Sequence, residues 1–224
     1  MTDRTEIKIC GLSERLSLAA ALEAGADKVG FIFFEKSPRN VTVQQAADLA
    51  RFAENKARTV AVTVNASDGL LERIVGEMNP SMLQLHGRET PERVAAVKAR
   101  FGLPVMKAFA ISSAADLQAT APWHGIADRF LFDARPPAGS MLPGGNGVTF
   151  DWKLLRNFQV PGGYMLSGGL DASNVGEALS ISGACAVDIS SGVESAPGVK
   201  SIEKIRAFVK TVRDYDHGRL ETVN

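Results

Sequence analysis

A single (β/α)8 barrel of eight parallel strands is the α/β fold that the sequence predicts, on three observations. Short apolar runs alternate with stretches of helical periodicity eight times along the chain, and that alternation makes a parallel sheet with helices outside it. The length, 224 residues, is a little under the roughly 250 typical of such barrels. No Pro/Ser-rich linker or internal repeat divides the chain. A doubly wound open sheet is the alternative, but no G-x-G-x-x-G follows the first strand. Residues 1–214 are assigned to the barrel and 215–224 to a polar tail.

The elements follow in order. Glu6–Cys10 reads as a strand, with Ile7 and Ile9 alternating with Glu6 and Lys8, and Gly11 breaks it. Ser13 is placed to cap a helix whose apolar positions include Leu16, Ala19, Ala20 and Leu22, with Gly25 as its C-cap. Residues 29–34 are a near-continuous apolar strand, as a sheet covered on both faces requires. The turn Ser37-Pro38-Arg39 leads to a helix over about 43–54 bearing Ala46, Ala47, Ala50 and Ala53. A strand over 58–64 ends at Asn65. Ser67 caps a helix with Leu70, Leu71, Ile74, Val75 and Met78 on one face. Met82–Leu85 is the fourth strand, followed by His86-Gly87. Thr90-Pro91-Glu92 is a helix start: cap, Pro at the first position, acid in the first turn.

The second half continues the pattern. A strand over 104–109 precedes a weaker helix begun by Ser112 and Ser113. A strand over 129–133 ends on a carboxylate, Asp133. A loop rich in Pro and Gly follows, with Pro136, Pro137, Pro143 and the run Gly144-Gly145-Asn146-Gly147. It closes at Phe150-Asp151-Trp152, a helix start with Asp151 near the N-terminus. Loops of that length are unusual in compact domains unless they work as lids. A strand over 163–166, a helix over 171–182, the strand Ala186–Ile189 and a helix over 201–213 complete the set. The last carries Ile202, Ile205, Phe208, Val209 and Val212 toward the core.

Composition excludes several classes of partner. Lys+Arg and Asp+Glu are both 25, so the formal net charge is zero and nothing points to nucleic acid or a membrane surface. No apolar run approaches the roughly 20 residues of a membrane span. The first ten residues lack the apolar core of a signal peptide. The two cysteines, Cys10 and Cys185, do not make a disulfide framework, and a reducing cytoplasm is the simplest location. His86, His124 and His217 are scattered, against a histidine-based metal centre.

In barrels of this kind the active site lies where the strands end, and the chemistry-bearing residues of this chain gather there. Cys10 follows the first strand, Arg39 the second, Asn65 the third, Gln84 and His86 the fourth, Asp133 the sixth. Gly168-Gly169 and Ser191-Gly192 follow the seventh and eighth, the pair of loops that holds phosphate in many barrels. Cys10 before a glycine is a candidate base, since a thiol of pKa about 8.5 needs only a modest downward shift to act near neutrality. Cys185 reads as a packed thiol. Arg39 can grip a planar carboxylate in bidentate fashion. Asp188, inside the last strand, is either aimed at the site or paired in the barrel. For His86 a structural role is the simpler reading.

Lys8-Ile9-Cys10-Gly11, Ser37-Pro38-Arg39, Gln84-Leu85-His86-Gly87, Gly144-Gly145-Asn146-Gly147 with Phe150-Asp151-Trp152, Ser167-Gly168-Gly169-Leu170 with Asn174-Val175, and Val187-Asp188-Ile189-Ser190-Ser191-Gly192-Val193-Glu194 with Pro197-Gly198 occur in this order. In combination they resemble the phosphoribosylanthranilate isomerases of tryptophan biosynthesis over residues 6–212. One departure is Asn146, where many members have Thr or Ser. The resemblance implies an Amadori rearrangement of N-(5-phosphoribosyl)anthranilate to 1-(2-carboxyphenylamino)-1-deoxyribulose 5-phosphate. It implies Cys10 as general base, Asp133 as general acid, Arg39 on the anthranilate carboxylate, and the loops at 168–169 and 191–192 on the phosphate. Asp188 is carried with them as a substrate-binding residue. No metal or organic cofactor is implied, and the chain is expected as a monomer or homodimer. The isomerase of histidine biosynthesis performs the same rearrangement with a two-aspartate design. Cys10 separates the two. A non-catalytic barrel that binds a phosphorylated ligand would need neither Cys10 nor Asp133.

Overall fold

Strands buried on both faces must be apolar on both, which is why the strands of this chain read as short continuous apolar runs. In the structure, a computed structural model in which residues 4–140 and 142–222 are described, eight of them close into a barrel. They are β1 (Glu6–Cys10), β2 (Lys28–Phe33), β3 (Arg58–Thr63), β4 (Met82–Leu85), β5 (Val105–Ile111), β6 (Arg129–Ala134), β7 (Tyr164–Leu166) and β8 (Ala186–Ile189), each parallel to the next. β1 pairs with β8 to close the ring, setting Lys8 opposite Asp188, and with β2, setting Cys10 opposite Gly30.

The helices are α1 (Arg15–Ala24), α2 (Val43–Ala53), α3 (Asp68–Met78), α4 (Pro91–Phe101), α5 (Ala114–Gln118), α6 (Val175–Ser182) and α7 (Ile202–Thr222). Ser67 and Thr90 cap as the sequence predicts, each accepting from a backbone N–H at 3.3 Å. Four expectations are corrected. Ser13 caps nothing: α1 starts behind Glu14 with no side-chain cap, and Leu16 is 71% exposed while Ser17, Leu18, Ala20 and Ala21 face inward. The stretch Leu16–Ala21 is apolar nearly all round, so periodicity does not fix its phase. Among the described residues, no α-helix joins β6 to β7. Asp151 caps only a 3-10 turn, Trp152–Leu155, because Asn157 and Pro161-Gly162-Gly163 leave no room for more. A hairpin of β9 (Glu194–Ala196) and β10 (Val199–Lys200) turns at Pro197-Gly198 before α7. Finally, α7 does not end near Arg213 but runs to Thr222. Buried Asp216 accepts from the Thr5 N–H and Arg213 pairs with both Asp216 and Asp27. Residues 223–224 of the expected tail lie outside the described residues.

The core has two parts. One lies between sheet and helices, around Ile7, Phe31, Leu83, Phe130 and Phe208. The other fills the barrel with Val60, Val62, Met82, Met106, Leu131 and Met165, with Cys10 at its upper edge. The floor is plugged by Glu6, paired with Lys28 and, at 2.8 Å, with Arg129. Phe130 stacks on Phe109 with centroids 5.4 Å apart and meets His124 edge-on. Phe130→Ala is therefore expected to cost about 3–5 kcal/mol in urea unfolding. A loss under about 1 kcal/mol would contradict the packing described. Among the described residues no helix is long and apolar enough to cross a membrane.

Candidate active site

Alternate residues of each strand point into the barrel, so those at the C-terminal ends of the strands surround its mouth. Cys10, Arg39, Asp133, Gly168, Gly169, Asp188, Ser191 and Gly192 all line one cavity there, together with Gln84 and His86. The loop after β6 forms its roof through Leu142–Asn146 and Val148. Asn65 is not part of this cavity. It turns left-handed after β3 and braces the next loop by accepting from the Arg88 N–H at 2.7 Å. Asn146 knots the roof loop, accepting from Ser140 Oγ at 2.8 Å and donating to the Leu142 carbonyl at 3.2 Å.

Cys10 is buried, and its surroundings include a group that the alternation in β1 had marked only as polar. Lys8, fully buried, lies on the same inward face of the strand, and its Nζ pairs with Asp188 Oδ1 at 2.7 Å. Burial pushes the Cys10 thiol up. Lys8 pulls it down, Asp188 pushes it further up and Lys200 pulls it down, and the thiol ends above its ordinary value. Burial acts to lower Lys8, but the Asp188 carboxylate and the thiol more than offset this and its pKa is raised. Lys8 is therefore an ammonium. The spacing Lys8-x-Cys10, two residues apart on one strand, was the available signal.

Asp133, the penultimate residue of β6, stands on the far side of the mouth. Its Oδ1 accepts from the Ala134 N–H at 3.0 Å, and Oδ2 stands 3.5 Å from His86 Nε2. His86 Nδ1 lies 3.1 Å from the Gln84 amide nitrogen, and Gln84 Oε1 is buried with no partner. Gly144 of the roof passes directly over this group: a Cβ there would collide with the Asp133 carboxylate and lie 3.0 Å from His86 Nε2. The acid candidate is thus covered by a roof residue whose side chain, were it not glycine, would have to displace the Asp133 carboxylate.

Arg39 departs from the expected bidentate grip on a ligand. Its Nε and Nη2 already hold Glu194 at 2.6 and 2.8 Å, and Nη2 also reaches the Gly145 carbonyl at 3.4 Å. The remaining nitrogen, Nη1, lies under the roof, 2.7 Å from where a Cβ on Gly145 would stand. Glu194 is shared with Lys200 Nζ at 2.8 Å. Burial acts to raise the Glu194 carboxyl, but Arg39 and Lys200 hold it below its ordinary value. Burial lowers the Lys200 ammonium. Glu194 stands in the motif 187–194 that carries the resemblance, but the sequence assigns it no role, since Arg39 lies 155 residues away.

The two small-residue loops face the cavity from the other side. Gly168 has φ +93°, and a Cβ there would lie 2.7 Å from Ala134 Cβ, so the backbone hugs the end of β6 as only glycine allows. Ser191 opens a 3-10 turn, Ser191–Val193, and Ser190 Oγ donates to the Cys10 carbonyl at 3.1 Å.

Comparison with known proteins gives concordant results. The family model for N-(5'phosphoribosyl)anthranilate (PRA) isomerase matches residues 7–211. The N-(5'-phosphoribosyl)anthranilate isomerase of Mesorhizobium japonicum is 60% identical over 176 residues, 79% of this chain and 80% of that protein. The isomerase of a Chelativorans species is 57% identical over 208 residues, 93% and 95% of the two chains. A crystal structure of phosphoribosyl anthranilate isomerase in complex with reduced 1-(o-carboxyphenylamino)-1-deoxyribulose 5-phosphate is 29% identical. It has a TM-score of 0.80 and covers 94% of this chain and 99% of that one. With the family matched from β1 into α7 and the same closed barrel in its solved members, this chain belongs to the N-(5'-phosphoribosyl)anthranilate isomerase family, enzymes of tryptophan biosynthesis.

Proposed function

We propose that this chain converts N-(5-phosphoribosyl)anthranilate to its aminoketose with Cys10 as general base and Asp133 as general acid. The observation that carries the proposal is their placement. They stand at the C-terminal ends of β1 and β6, and they line one roofed cavity whose other walls suit the two ends of such a substrate. Arg39 Nη1, with the guanidinium fixed by Glu194, takes the anthranilate carboxylate. The backbone of the loops at 168–169 and 191–192 takes the phosphate.

The chemistry proceeds in three steps. Asp133 gives a proton to the ribose ring oxygen, the ring opens, and the nitrogen lone pair forms a Schiff base with C1. That electron sink acidifies the C2 proton, which the Cys10 thiolate removes to leave an enolamine. Protonation at C1, with loss of the C2 hydroxyl proton to the Asp133 carboxylate left by the first step, then gives the C2 ketone. No hydride or phosphoryl group moves, and no metal or organic cofactor enters.

Purified chain supplied with freshly made N-(5-phosphoribosyl)anthranilate is expected to consume it and yield the aminoketose. Failure to turn it over, with the fold intact by circular dichroism, would contradict the proposal. The raised thiol adds a pH signature. On the acid side of the optimum kcat/KM should climb with pH by up to about tenfold per unit, as the thiolate fraction grows. A flat profile from pH 6 to 8 would remove a titrating base from the rate. For the phosphate end, Ser191→Asp puts like charge beside it. We expect KM to rise by at least about tenfold with little change in melting temperature, and inorganic phosphate to compete weakly with substrate. An unchanged KM would place the phosphate elsewhere.

A further inference from the structure

We infer that Lys8, held by Asp188, is the positioning cation of the Cys10 thiolate. The inference rests on the reading of Cys10 as base and deepens it. Its starting point is an expensive side chain in an odd place. Lysine is almost never fully buried unless paired, and a buried ion pair is frequently no more stable than apolar residues of the same volume. The Lys8 ammonium is fully buried inside the barrel, where an apolar cluster includes Val60, Met106, Leu131 and Ala186. The barrel floor has its own charges in Glu6, Lys28 and Arg129. Folding alone does not call for a cation at position 8.

Geometry says what it is aimed at. Lys8 and Cys10 point the same way from β1, and Gly30 on β2 faces Cys10 in register. A Cβ on Gly30 would lie 2.9 Å from Cys10 Sγ and 3.2 Å from both Cε and Nζ of Lys8. Thiol and ammonium therefore share the space that Gly30 leaves, where the ammonium favours the thiolate. Asp188 comes from the other flank, its Oδ1 on Lys8 at 2.7 Å and its Oδ2 accepting from Ser167 Oγ at 3.4 Å. The carboxylate keeps the amine protonated and fixes where its remaining N–H bonds point. Lys8 thus takes no proton from the thiol. It supplies the counter-charge that a thiolate needs once water is shut out.

The other charged groups around Cys10 are Lys200 from β10, Arg39 from the loop after β2, Asp133 from β6, and His86 after β4. Lys200 and Arg39 are both committed to Glu194. His86 lies beside Asp133. Lys8 is the cation that points the same way from β1 as the thiol and shares with it the space beside Gly30.

The test reads the thiol directly. In a Cys185→Ser background Cys10 is the sole cysteine, and the pH dependence of its alkylation by iodoacetamide gives its ionisation midpoint. Lys8→Met, which keeps volume and loses charge, should move that midpoint up by at least about one pH unit. At pH 7 it should lower alkylation and kcat/KM by about tenfold or more, with a smaller change in KM. Lys8→Met leaves Asp188 unpaired and could misfold. Lys8→Met combined with Asp188→Asn removes both charges, and it too should raise the midpoint. An unmoved midpoint in a folded variant overturns the inference. The base reading fails separately. If Cys10→Ser is inactive while Lys8→Met titrates like the parent, only the role of Lys8 falls. If Lys8→Met shifts alkylation but leaves kcat/KM unchanged, the cation is right and the base assignment is wrong.

Discussion

Cys10→Ser should fold with a similar melting temperature and lose on the order of 10²-fold or more in kcat. Serine fits the space beside Gly30, since it is smaller than cysteine and the site is already made for a small polar group. Its hydroxyl, however, stays protonated near neutrality. The surroundings of Cys10 make the contrast sharper: burial and Asp188 oppose a negative charge there, while Lys8 and Lys200 favour one. An alkoxide in that position is out of reach where a thiolate is attainable. Iodoacetamide should inactivate the parent protein, and a bound substrate analogue should protect it. Cys185 is not the packed thiol the sequence suggested but is exposed, because it precedes β8 outside the barrel, and it is not among the residues lining the cavity, so Cys185→Ser should keep full activity. Parental turnover by Cys10→Ser would dismiss the thiol from the mechanism.

Asp133→Asn is expected to cost about 10²–10⁴-fold in kcat, with a modest change in KM. The amide keeps the shape of the carboxyl and can still accept from the Ala134 N–H. It cannot deliver a proton to the ring oxygen. Gly144 closes over the same atoms, so a water molecule has little access to substitute as the acid. A larger effect on KM than on kcat would mean that Asp133 binds substrate and leaves proton delivery to another group.

Much of this was legible in the sequence because barrel strands carry a simple signal. Apolar runs ending in Cys10, Gln84, Asp133 and Asp188 set those residues at one mouth once the alternation was recognised. Legibility failed wherever the deciding contact was distant. The phase of α1 depends on which of several similar apolar faces meets α7 and β1, and its own residues do not distinguish them. The length of α7 depends on Asp216 reaching Thr5, 211 residues away. Arg39 was found, but the grip was not, because its fork is filled by Glu194 from beyond β8. Lys8 was hidden for a different reason. In a half-buried strand a charged residue alternating with isoleucines faces water. In a barrel the same parity faces the interior, where Cys10 also points.

The central claim is that Cys10 removes the C2 proton, and the most direct measurement follows that bond. With substrate deuterated at C2, the parent protein should break the C–D bond on the way to ketone, with a primary isotope effect in single turnover. Cys10→Ser, folded and still able to bind, should break it at least about 10²-fold more slowly. If Cys10→Ser releases deuterium from C2 at the parental rate, another group is the base and the thiolate has no part in the proton transfer.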